Sequence, residues 1–168
     1  MKKFDKKHAE EHVNKLLKKH KITVKGYSTT ACGRAHKKER WVKIPRPTNI
    51  DRFAVCLHEI FHIIGKNTGA RFKREFECDM YARQTLIDLG YDHAEWDRRL
   101  RWHVLSRIAM AHNRKLNHEK IGQDIRTFFS DIDFSKWEGK KVFVGHAFYK
   151  SSNPDDIRIY QDYKVGRH

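Results

Sequence analysis

Apolar residues return along this chain in two rhythms, one helical and one strand-like. Over residues 4–20, Phe4, His8, His12 or Val13, Leu16 and Leu17 recur every three or four positions among Lys, Glu and Asn, which predicts an amphipathic helix with a cationic outer face. Ile22 and Val24 then alternate with Thr23 and Lys25, the rhythm of a short strand, and Gly26 throws Tyr27 out of step, predicting a bulge or turn. The run 32–44 carries further strand signal around a hairpin turn at Lys37-Lys38-Glu39, so two or three short antiparallel strands are expected. Pro45-Arg46-Pro47 ends that pattern, and Thr48 or Asn49 can cap a helix with Asp51 in its first turn.

The helical rhythm is strongest in the middle of the chain. A helix at about 50–65 gathers Phe53, Ala54, Leu57, Ile60, Phe61 and Ile64 on one side, with Gly65 at its end. A loop over 66–71 leads to a second helix at about 72–89, closed by Gly90. Beyond it, 95–113 reads as a long helix and Asn117 can cap another containing Ile121, Ile125, Phe128 and Phe129. Residues 141–144 and 157–160 read as short strands, with a loop at 151–154. The fold class is therefore α+β: a core over residues 1–90, and over 91–168 a mainly helical extension with short strands, packed on the same core.

Composition narrows the setting. The 168 residues are 39% apolar and 34% charged, enough to bury one real core. No apolar run approaches the roughly 18 residues of a membrane span, and the chain starts in charge rather than an apolar signal core, so a cytoplasmic protein with no membrane partner is expected. Three cysteines, Cys32, Cys56 and Cys78, are too few for a disulfide framework and read as thiols. The net charge of +15 is uneven: residues 1–50 hold 15 Lys and Arg against 4 acids, and residues 51–100 hold 8 against 9. A near-neutral middle flanked by basic arms suits delivery to nucleic acid or to an acidic protein through the N-terminal region, or simply solubility.

The near-neutral middle contains His58-Glu59-Ile60-Phe61-His62. Residues four apart on a helix lie about 40° from one another, so the two imidazoles face one point and can share a single Zn²⁺. Glu59 falls on the same side, where its carboxylate can act as general base toward an attacking water without being a ligand. The longer metzincin pattern fails, because Thr68 stands where its third histidine belongs. Glu75, separated from His62 by twelve residues and on the next helix, can instead supply a third ligand, and Asp79, one turn further on the same face, can accept the free N–H of a ligand histidine. Glu77 is an alternative that points away from Asp79. Cys56 and Cys78 read as core residues, Cys78 being the nearer to the metal face.

His58-Glu-x-x-His62 followed by Arg74-Glu75-Phe-Glu-Cys-Asp79-Met-Tyr-Ala82 resembles the gluzincin metallopeptidases, and most of all their compact ImmA/IrrE-type members. The similarity covers about residues 40–90, with Cys78 where many relatives carry Ala. It implies a zincin-like domain, one Zn²⁺ held by His58, His62 and Glu75, Glu59 as catalyst and Asp79 as partner of a ligand histidine. Peptide-bond hydrolysis in a regulatory or nucleic-acid-associated protein would follow, with an oxyanion donor sought among Tyr91, His93 and His103. The competing expectation is a basic module that binds nucleic acid or an acidic protein and keeps the zinc site as a structural or vestigial feature.

Overall fold

The computed structural model describes residues 1–66 and 68–160. Asn67, within the predicted loop, and the end of the C-terminal extension at 161–168 lie outside the described residues. The chain divides into two units: Met1–Thr68 with Glu77–Asp97, and Gly69–Phe76 with the chain from Arg98 onward.

In the first unit, helix α1 spans Lys6–Lys19, capped by Asp5, whose side chain accepts from the His8 amide at 3.1 Å, and it buries the stripe Ala9, Val13 and Leu17. Strands β1 (Thr23–Ser28), β2 (Arg34–His36) and β3 (Trp41–Pro45) form a sheet in the order β1-β3-β2. β2 and β3 make the predicted antiparallel hairpin, but β1 pairs with β3 in parallel, which corrects the wholly antiparallel expectation. The reason is topological: the chain runs up, down and up again, so the first and third strands point the same way, and placing β3 in the centre makes them neighbours. The predicted irregularity at Gly26 is present as a register shift between Val24 and Gly26.

Helix α2 (Ile50–Ile64) follows, with Asn49 accepting from the Arg52 amide at 2.9 Å, a cap worth about 1 kcal/mol. It is buried along most of its length, and Phe53, Ala54, Leu57 and Ile60 anchor a core shared with Val42, Ile44, Ala82, Leu86 and Trp96. Each such large apolar side chain contributes about 1.5–3 kcal/mol by leaving water. Helix α3 (Arg71–Asp88) ends at Gly90, whose φ of +76° is the left-handed geometry that closes a helix and suits glycine. Phe61 of α2 stacks on Tyr81 of α3 with ring centroids 4.4 Å apart. Helix α4 spans Ala94–His112.

In the second unit, the single helix predicted after Asn117 is split: Asn117 caps a 3-10 turn at His118–Lys120, and α5 spans only Gln123–Phe128. Ile121 is drawn into the core in an extended conformation, and Gly122, a poor helix former, starts α5 instead of continuing a longer helix. The strands β4 (Lys141–Val144) and β5 (Ile157–Tyr160) are present as expected and pair antiparallel. Helix α6 (His146–Ser151), which reaches only the first residue of the predicted loop, and 3-10 turns over Phe134–Trp137 and Pro154–Asp156 were not anticipated; the first of these turns buries Phe134 and Trp137.

The second unit also pairs two imidazoles. His112 Nε2 donates to the Lys140 carbonyl at 2.8 Å, leaving its Nδ1 to accept from His118 Nε2 at 2.7 Å. Burial, then the neighbouring His112 and Arg126, hold His118 below the ordinary 6.5, while burial, His8 and Lys15 do the same to His12 in the first unit. A group with a depressed histidine pKa stays neutral in the folded chain while the unfolded chain takes up the proton. Stability should therefore decline as pH falls through about 6.5, above the range where carboxylates titrate. Thermal unfolding between pH 8 and 5.5 should show a falling midpoint that His118→Asn partly flattens; a midpoint indifferent to pH would contradict it.

Candidate metal centre

The centre lies in the first unit and is built from α2 and the part of α3 that belongs to that unit. The amphipathic pattern of α2 turns Phe53, Leu57 and Ile60 into the core, and the same rotation carries His58 and Glu59 inside, at 7% and 8% exposure. His62, one turn on, is half-buried. The two histidines meet through their Nε2 atoms, 3.0 Å apart, with the rings nearly perpendicular at 81°. A metal bound tetrahedrally at about 2.0–2.1 Å from each nitrogen needs them roughly 3.3 Å apart, so the pair is within a few tenths of an ångström of a chelating geometry.

The other ring nitrogens are held by two consecutive residues of α3. His58 Nδ1 donates to Asp79 Oδ1 at 2.6 Å, and that carboxylate is only 2% exposed. This fixes the tautomer of His58 and turns its Nε2 lone pair inward. His62 Nδ1 lies 3.3 Å from Cys78 Sγ. Trp96 of α4 closes the back of the site, donating from its indole N–H to the Asp79 carbonyl at 3.1 Å, with its ring 6.4 Å from that of His58. A carboxylate this deeply buried is tolerable only when fully hydrogen-bonded, and Asp79 answers that requirement with an imidazole.

His58, His62 and Cys78 form a group able to hold a metal ion, with donor atoms all within 4.8 Å of one another. Cys78 is the site residue the sequence pattern undervalued: it was read as core, and its one signal was its position beside Asp79 on the metal-facing side of α3. Cys56, by contrast, is buried core as expected, donating to the Pro45 carbonyl at 3.1 Å, and burial pushes its thiol up to about 12, with the nearby Glu59 adding to the effect.

The chain matches no protein-family model, no curated protein and no solved structure. The centre is therefore argued from its own geometry.

The remaining predicted residues are placed as follows. Glu75 lies on α3 one turn before Asp79, in the second unit, where its carboxylate is 3.6 Å from Arg71 Nε and 3.9 Å from His103 Nε2. Of the three residues considered as oxyanion donors, His103 is thus beside a predicted ligand. Tyr91 is buried among Phe4 and Phe53, and its hydroxyl bonds His8 Nδ1 at 3.1 Å, tying α1 to the segment after α3. His93 bonds Asp97 at 3.0 Å, a carboxylate that also receives Arg83 at 2.9 Å. Tyr91 and His93 therefore have structural partners that account for their positions.

If Asp79 orients His58, then Asp79→Ala should leave a metal site that forms but binds about 10–100-fold more weakly. Competition against a zinc chelator measures this directly, and unaltered affinity would remove Asp79 from the site.

Proposed function

We propose that this protein is a zinc-dependent metallopeptidase of the gluzincin type, working with a single Zn²⁺ on a protein or peptide substrate in the cytoplasm. The observation that carries the reading is the convergence of His58 and His62 through their Nε2 atoms, backed by the 2.6 Å bond from His58 to buried Asp79. Two neutral imidazoles aimed at one point, one oriented by a carboxylate, are the donor chemistry Zn²⁺ favours. The resemblance assigns the third ligand to Glu75; Cys78 is a second donor of the right kind.

Zinc, when bound, polarises a carbonyl and lowers the pKa of a coordinated water toward about 7. The chain's own groups do the rest. Glu59, next to His58 on α2, takes the proton from the attacking water and returns it to the leaving amine. Asp79 keeps His58 Nδ1 protonated throughout, so the lone pair on Nε2 stays available. Burial of Glu59 and His58 excludes bulk water and strengthens each electrostatic contact.

Purified protein should carry about one zinc per chain, lost in His62→Ala and kept in Glu59→Gln, while Glu59→Gln lowers peptide hydrolysis by about 10²-fold or more. Zinc content of Glu75→Gln and Cys78→Ser decides the third ligand, since only loss of a ligand releases the metal. A native protein without metal would sink the reading.

A second role is favoured by the exposed cations of the first unit, where Lys15, Lys18, Lys19, Lys21 and Lys25 all face solvent. They suit a nucleic-acid or acidic-protein partner that brings the substrate to the enzyme, or is the whole function if the zinc is structural. Binding to single- or double-stranded DNA should weaken by about 0.7–0.9 in log K per phosphate contacted for each tenfold rise in salt, and Glu59→Gln should leave it unchanged. No binding at low salt would exclude nucleic acid.

A further inference from the structure

The geometry points to Gly33 as the residue that positions the Glu59 carboxylate, a role that draws its catalytic meaning from the peptidase reading above. Gly33 precedes β2, at the end of the connection from β1, and is exposed to solvent. A Cβ added there would lie 2.5 Å from Glu59 Cγ, 3.0 Å from Glu59 Cδ and 3.0 Å from the Lys43 carbonyl oxygen. Non-bonded carbons rest at about 3.5–4.0 Å, so the main chain at Gly33 lies directly against the Glu59 side chain and leaves no room for a methyl group.

Backbone conformation does not explain the glycine. The described glycines with positive φ are Gly69, Gly90 and Gly139, so Gly33 occupies a conformation open to other residues. Nor is it packed inside the core. What demands a glycine here is the close approach to Glu59 and to Lys43.

Of the atoms a side chain would meet, the side chain of Glu59 is the one able to move. Lys43 belongs to β3, the central strand, and is paired on both sides, with Gly26 of β1 and Arg34 of β2. The α2 backbone is locked by Phe53, Leu57 and Ile60, all at 0% exposure. A methyl group at position 33 therefore turns Glu59 about its own side-chain bonds and moves the carboxylate from the place it takes here. Displacing a catalytic group by about 1 Å can cost 10²-fold in rate. Gly33 is thus a positioning residue: the bare main chain is a wall that limits the places the Glu59 side chain can take.

The test uses the full-length chain and a matched control. Gly26→Ala adds a methyl group in the same sheet where nothing lies within 4 Å. In Gly33→Ala, turnover of the peptide that wild-type protein cleaves fastest in a fluorogenic library should fall about 100-fold, with KM little changed and one zinc retained. Gly26→Ala should stay within about twofold. Independently of activity, the lowering of Tm by Gly33→Ala should shrink to half or less in a Glu59→Ala background, because the atoms that clash are gone and only the Lys43 contact remains. Equal Tm losses in both backgrounds, or wild-type turnover in zinc-loaded Gly33→Ala, would overturn the inference. If the wild-type protein cleaves no peptide, the peptidase reading fails by itself, and the Tm comparison alone decides: coupling keeps Gly33 as the residue that places Glu59, and its absence removes it.

Discussion

The buried bond between His58 and Asp79 is the constraint on which the rest of the centre depends. At 2.6 Å and almost fully withdrawn from water, the carboxylate is held against its imidazole, and removing one partner of such a buried pair costs on the order of 3–5 kcal/mol. That cost fixes the register of α2 against α3. Once Asp79 faces His58, the preceding residue Cys78 is set beside His62, because neighbours on a helix are about 100° apart while His58 and His62 are one turn apart on the facing helix. One bond thus orients one imidazole directly and brings a thiol to the other. The Trp96 indole, donating to the Asp79 carbonyl, makes the same point from a third direction, since it holds the main chain that carries the carboxylate.

Around this pair the scaffold separates rigid parts from polar ones. α2 is buried along most of its length: His58 enters the interior where Asp79 of α3 and Trp96 of α4 meet it, and Glu59 where the chain just before β2 lies against it. The sheet reaches the centre through the chain just before β2, where the absence of a side chain lets the backbone press on Glu59. The Glu59 side chain is thereby confined by that connection. Positive charge is kept away from this interior: the cations of α1 and of the chain around β1 face solvent.

Much of this was legible in the residues, and the reasons differ between features. The spacing of His58, Glu59 and His62 dictates a shared face on any helix, so that part of the site required only that residues 50–64 be helical, which their apolar stripe and the Asn49 cap ensured. The partnership of Asp79 with a ligand histidine was also readable, as a carboxylate on the next helix with a loop long enough to fold back. Alternation and turn residues marked the strands 141–144 and 157–160. The parallel pairing of β1 with β3 was not readable, because the residues of β1 alternate in the same way whichever neighbour they meet.

Local sequence, then, determined where the helices begin, which faces are apolar and which side chains can point the same way, since these follow from backbone geometry and from capping within a few residues. Tertiary structure alone decided which histidine Asp79 would take, that Cys78 would stand at the other, that Tyr91 would bond His8 and that Gly33 would lie against Glu59. Each of these is a meeting of residues from different elements, settled by how helices and strands pack to fill the interior. The tripeptide Cys32-Gly33-Arg34 says nothing of the Glu59 carboxylate until β2 is laid beside β3 and α2 against both.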